Sequence, residues 1–143
     1  MMRHLLALLA LLLLAPMPAA AQGMPKDIAD TFFARLKTGE YQKAYAEIWG
    51  DSLMKSKPME VANVINQMEI AFRTYGAPEG YELVSEEVVA PSLHVNTYLV
   101  RTPMSPVFFR VQFYRYAQKW TVYRLDFADM IGRLPPANRA PNS

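Results

Sequence analysis

VFFRVQFYRYAQKWTVYRLDF, residues 107–127, decides the fold. Its residues alternate with a period of two on either side of a polar break, the pattern of a β-hairpin. With Ala117, Gln118 and Lys119 as the loop, Tyr116 faces Trp120 and the remaining pairs follow. One face then carries Phe113 with Tyr123, Val111 with Leu125 and Phe109 with Phe127, an apolar surface that needs a core. The other carries Arg110 with Asp126, Gln112 with Arg124 and Tyr114 with Val122. A slip of one residue would mix the two faces, so burial fixes the register. The loop lacks the glycine or asparagine that a three-residue hairpin usually takes at its left-handed position.

Immediately upstream, Tyr81–Ala90 and Leu93–Thr102 read as two more strands joined across Pro91 and Ser92, followed by the loop Pro103, Met104, Ser105, Pro106. In the second of them, Leu93, Val95, Thr97 and Leu99 are assigned to the core side and His94, Asn96, Tyr98 and Val100 to the outer side. A four-residue loop permits either parity. Before Gly76 the period changes to that of helices. Met24–Gly39 places Ile28, Phe32, Phe33 and Leu36 on one stripe, with Asp27 in the first turn and Gly39 at the stop. Glu40–Trp49 repeats the pattern with Tyr41, Ala44, Tyr45 and Ile48, and residues 53–58, LMKSKP, read as a loop or short edge strand. Pro58–Tyr75 is the longest helix, with Val61, Val64, Ile65, Met68, Ala71, Phe72 and Tyr75 on its apolar stripe and Glu60, Asn63, Asn66 and Arg73 opposite.

The N-terminus has the three-part plan of a secretory signal peptide: Arg3, an apolar run from Leu5 to Ala15, and Ala19, Ala20, Ala21 before Gln22. Eleven apolar residues at about 1.5 Å each fall short of a hydrocarbon layer roughly 30 Å thick, so cleavage after Ala21 is expected in place of a membrane anchor. The expected organisation is a signal peptide over residues 1–21, one α+β domain over 22–130 and a disordered tail over 131–143, with one added turn at Asp129–Gly132. The chain after Ala21 has 122 residues, 14 basic and 13 acidic, which leaves no electrostatic footprint for nucleic acid and no polybasic membrane patch. The absence of cysteine excludes a disulfide framework, a thiolate nucleophile and a cysteine metal site. These features point to a periplasmic or secreted protein with no integral membrane segment after cleavage.

No phosphate loop, HExxH, GxSxG or metal-spaced cluster occurs, and no cofactor is implied. His4 leaves with the signal peptide, so His94 is the single histidine of the remainder. Three helices followed by a four-stranded meander predict helices packed on the apolar face of a curved antiparallel sheet. In that order of elements, the residues DTFFARLKTGEYQKAYAEIW, a long third helix and VFFRVQFYRYAQKWTVYRLDF, the chain resembles the nuclear-transport-factor-2-like (cystatin-like cone) superfamily across roughly Met24 to Met130. The resemblance implies a cone-like fold. It also implies a function among ketosteroid-isomerase-like and dehydratase enzymes, small-ligand binders, and exported or partner-binding modules that are often dimeric through the sheet. The cavity it implies between helices and sheet falls to Phe32, Tyr45, Met68, Phe72, Phe113 and Tyr123. Those positions are nearly all apolar, whereas general acid and base chemistry needs a titratable group in the pocket.

The outer sheet face gathers Tyr98, Arg110, Tyr114, Tyr116, Trp120, Arg124 and Asp126. Aromatics mixed with arginine are the composition of protein interfaces, and a solvated sheet surface is the plainer reading. The leading expectation is a non-enzymatic exported module that binds itself, as a homodimer, or another envelope protein through this face. The alternatives are a carrier of a small apolar ligand in the cavity and an isomerase- or dehydratase-like enzyme there.

Overall fold

The computed structural model describes residues 23–50 and 52–135. The expected signal peptide and residues 136–143 of the expected tail lie outside them. The described chain is an α+β layer with its helices N-terminal to its strands. They are α1 (Pro25–Lys37), α2 (Tyr41–Ile48), a 3-10 turn at Leu53–Ser56, α3 (Pro58–Tyr75), β1 (Gly80–Ala90), β2 (Leu93–Arg101), β3 (Val107–Tyr116) and β4 (Lys119–Ala128). The strands form one open antiparallel sheet in the order β1-β2-β3-β4.

Local chemistry explains the helix ends. The backbone N–H of Met24 donates to Asp27 at 3.2 Å, satisfying one free donor of the first turn of α1. At the other end Gly39 takes φ 76°. The N–H of Glu40 reaches the Arg35 carbonyl at 3.0 Å and that of Gly39 the Leu36 carbonyl at 3.1 Å, a glycine-closed C-cap that turns the chain into α2. Arg35 then clamps the two helices, donating to Glu47 at 3.1 Å and to Glu40 at 3.3 Å. α3 closes at Gly76, φ 99°. A Cβ there would stand 2.7 Å from Pro103 Cδ, because the loop between β2 and β3 returns under the helix and the Met104 N–H donates to the Tyr75 carbonyl.

The apolar stripes meet the sheet as their periodicity requires. Phe32, Leu36, Tyr45, Met68 and Phe72 interlock with Phe109, Val111 and Phe113, all buried in one cluster. Phe32 stands edge-on to Tyr45 and to Phe109, the preferred arrangement of aromatic pairs. The expected pairs Phe109 with Phe127, Arg110 with Asp126, Val111 with Leu125 and Gln112 with Arg124 are all present.

Beyond Gln112 the hairpin departs from expectation. The loop has two residues, Ala117 and Gln118, both left-handed at φ 48° and 65°, the backbone of the tight turn that matches strand twist. Tyr116 therefore pairs with Lys119, Arg115 with Trp120, Tyr114 with Thr121 and Phe113 with Val122, and Tyr123 is the extra residue of a bulge. Two site assignments are corrected as a result. Trp120 shares the helix-facing side with Phe113 and Val122 and is 8% exposed, whereas Tyr123 stands out at 56%.

β2 has the opposite parity to that expected. Tyr98 pairs with Phe109, Asn96 with Val111 and His94 with Phe113, so these three face the helices, while Thr97 pairs with Arg110 on the outer side. Val95 and Thr97 are nonetheless 3% and 2% exposed, because the sheet is covered there too. After β4 a second 3-10 turn, Ile131–Arg133, returns the chain to the outer face. There Arg110 donates to the Pro135 carbonyl, and the adjacent Leu134 is 5% exposed. The first residues of the expected tail, 131–135, thus hold this turn and the contact to Arg110.

Candidate functional site

The centre between helices and sheet is filled by side chains. Phe32, Tyr45, Met68, Phe72 and Phe113 are each at most 4% exposed, and the Tyr45 hydroxyl is spent on Met68 Sδ at 3.8 Å. Burial alone raises the Tyr45 phenol well above its usual range. These residues are core, and Phe32 also borders a depression of about 240 Å³ beside Ile28 and Ile48.

Polar chemistry gathers at the edge of that core. Reversed parity carries His94, Asn96 and Tyr98 to the helix side of β2, where the first turns of α1 leave the sheet partly uncovered. The cleft holds about 360 Å³, with Met24, Pro25 and Leu83 supplying apolar wall and Lys26, Asp30, Tyr81, Glu86, His94, Asn96 and Tyr98 supplying polar groups. Asp30 is the hinge of the arrangement. One carboxylate oxygen accepts from the Tyr81 hydroxyl and the other from Lys26. Asn96 Nδ2 donates to the Tyr98 hydroxyl at 3.1 Å. His94 lies against Trp120 with ring centroids 4.6 Å apart, and its Nδ1 is 4.0 Å from Glu86, beyond hydrogen-bond range.

One atom stands out. Asn96 is 4% exposed, and its Oδ1 has no donor. More than nine in ten buried polar groups find a partner, and leaving one without costs about 1 to 3 kcal/mol. The Trp49 indole N–H is also without an acceptor, but it belongs to the core beside Tyr45. A depression of similar size, about 350 Å³, lies toward the other end of α1 between Leu36, Lys37, Gly80 and Arg101. Arg101 is already paired with Glu82 at 2.7 Å, and no donorless buried atom faces that depression.

The titration behaviour of the cleft defines its chemistry. Burial works to raise the Asp30 carboxyl, yet the hydrogen bonds from Lys26 and Tyr81 outweigh it and the net displacement is downward. Burial and the bond to Asp30 raise the Tyr81 phenol. Tyr98 is raised by burial, opposed by its bond from Asn96, and raised further by the charges of Asp30 and Glu86. The carboxyl and the phenols thus move away from neutrality in opposite directions. A proton-transfer pair at neutral pH needs the reverse.

Of the residues expected on the outer face, Arg110, Tyr114, Tyr116, Arg124 and Asp126 are there, and Tyr98 and Trp120 are not. Arg110 is occupied by Thr97 and Pro135, and Arg124 is paired with Asp126 at 2.7 Å. Tyr114 and Tyr116 remain exposed at 42% and 75%. Asp30, Tyr81 and Glu86 were not singled out in the sequence. The visible signal for them was the run of polar residues on alternate positions of β2, which mark a wet cleft as readily as a wet sheet face.

Among the described residues no three His, Asp or Glu gather as a metal site, and no helix is long and apolar enough to cross a membrane. No protein-family model, curated protein or solved structure matches the chain.

Proposed function

We propose that this chain is an exported, non-enzymatic binding protein whose ligand site is the cleft between the start of α1 and the β1–β2 pair. The observation that carries the reading is the donorless Asn96 Oδ1 at a cleft of about 360 Å³ ringed by Asp30, Tyr81, Glu86, His94 and Tyr98. A pocket of this size with a few convergent polar groups is the usual form of a small-molecule site. The upstream segment supports action outside the cytoplasm, and the superfamily resemblance supports a site between helices and sheet. The displaced carboxyl and phenols favour retention of a ligand over its conversion.

The test is two-dimensional NMR of the isotope-labelled chain beginning at Gln22, titrated with the small-molecule extract of the cells that produce it. Shifts clustered at Lys26, Tyr81, Asn96 and Tyr98 are expected. No shifts at all, or shifts confined to Tyr114 and Tyr116, overturn the reading.

Exposure of Tyr114 and Tyr116 favours a second reading, contact with another copy or an envelope protein through the outer face. Sedimentation decides it. A mass above one chain that falls in both Tyr114→Ala and Tyr116→Ala supports a homodimer, and a monomer that captures no envelope protein removes it.

A further inference from the structure

We propose that the ligand is an organic ammonium ion carrying an apolar body, bound with its cationic head between Asp30, Glu86 and Asn96 and its body along Met24, Pro25 and Leu83; this rests on the cleft being a ligand site. The cleft holds acceptors that its own donors do not meet. The Tyr81 hydroxyl donates to Asp30, as does one N–H of the Lys26 ammonium, and one Asn96 amide N–H donates to Tyr98. Asn96 Oδ1, buried at the cleft wall, has no donor, and the Glu86 carboxylate is half-exposed, 4.0 Å from Nδ1 of His94. A carboxylate or phosphate group would meet two carboxylates and an amide oxygen against the single Lys26 ammonium, whereas an ammonium brings three donors and no acceptor.

Charge points the same way. Lys26 is outnumbered by Asp30 and Glu86 among the lining groups, and both carboxylates register at the Tyr98 hydroxyl, which their charge helps raise. The protein already places one ammonium here. Lys26 Nζ is held by Asp30 at the mouth of the cleft while its side chain is 80% exposed, so a ligand cation can share or displace it at the cost of a solvent-screened pair. The rings of Tyr81 and Tyr98 are packed against Phe33, so they close the inner wall of the cleft. Met24 and Leu83, 54% and 52% exposed, offer the apolar shelf that a body attached to that head would cover.

The experiment is calorimetric titration of the chain beginning at Gln22 with three probes that share a phenyl body: phenethylamine, 2-phenylethanol and phenylacetate. The amine is expected to bind at least tenfold more tightly than either of the others. Glu86→Gln, an exposed change that leaves the core alone, should weaken the amine several-fold. Asn96→Leu should weaken it at least tenfold with the thermal midpoint retained. Alcohol or phenylacetate binding as well as the amine, or amine binding indifferent to both substitutions, overturns the ammonium assignment. In those cases cleft shifts in the cell-extract titration would still sustain the site itself. No binding by any probe, together with no cleft shifts from the extract, overturns both.

Discussion

Asp30 shows how much one residue can settle. It sits on α1 two positions before Phe32, and its partner Tyr81 is 51 residues away, so neither periodicity nor spacing could join them. What the sequence does give is the exposed turn that places Lys26 one helical turn earlier. Burial pushes the Asp30 carboxyl up, but Lys26 and Tyr81 together push it further down, below the ordinary 3.8. A carboxyl lowered in the folded state contributes stability that is complete above its unfolded value and is lost as pH falls through the folded one. Urea midpoints measured from pH 5 downward should therefore fall below about pH 4. Asp30→Asn should flatten part of that fall while lowering the midpoint at pH 7. Glu40, lowered by Thr38 and Arg35, supplies some of what remains. An acid limb identical in wild type and Asp30→Asn would show that the Tyr81 and Lys26 contacts do not stabilise the charged form.

At the scale of elements, the helices were legible and the strands only partly so, for a physical reason. A helix stripe has one solution, and the buried Ile65, Met68 and Phe72 of α3 with the exposed Glu60, Asn63, Asn66 and Arg73 follow it. A strand has two faces and its register depends on turns. The β3–β4 pairing was readable from Phe109 to Gln112 because charge meets charge and apolar meets apolar there. It was lost at the tip, where two left-handed non-glycine residues make a turn that composition does not announce, and the bulge at Tyr123 restores the parity. Trp120 and Tyr123 changed places for that reason alone. Left-handed backbone in an L-residue costs about 1 to 2 kcal/mol. Ala117→Asn combined with Gln118→Gly, the residues this turn prefers, should therefore raise stability by about 1 kcal/mol or more in urea titration while the near-ultraviolet signal of Trp120 is unchanged. A null or negative change would mean that the turn is held by neighbours rather than by its own preference.

For the molecule as a whole, the instructive error is the parity of β2. Leu93, Val95, Thr97 and Leu99 were assigned to the core side, although the four-residue loop after them permits either parity. They lie on the outer side, where Val95 and Thr97 are buried and the chain after β4 brings Leu134 and Pro135 back to the sheet through Arg110. A sheet buried on both sides gives no alternation to read, and a proline-rich polar ending concealed its cover. The same reversal puts Asn96 and Tyr98 at the cleft, so the outer strap and the proposed ligand site have one origin. Leu134→Ala removes the buried anchor of the strap and should cost about 2 kcal/mol or more. Arg110→Ala removes the bond to Pro135 and should cost about 1.5 kcal/mol or more, as for hydrogen bonds to charged groups. Because both changes release the same segment, the double variant should cost less than the sum of the two. Hydrogen exchange should then speed up at Val95 and Thr97 in each variant while the Phe109 and Val111 amides stay protected. If Leu134→Ala instead leaves the urea midpoint and the exchange at Val95 unchanged, the outer face is not held by the strap, and the apolar set of β2 needs another cover.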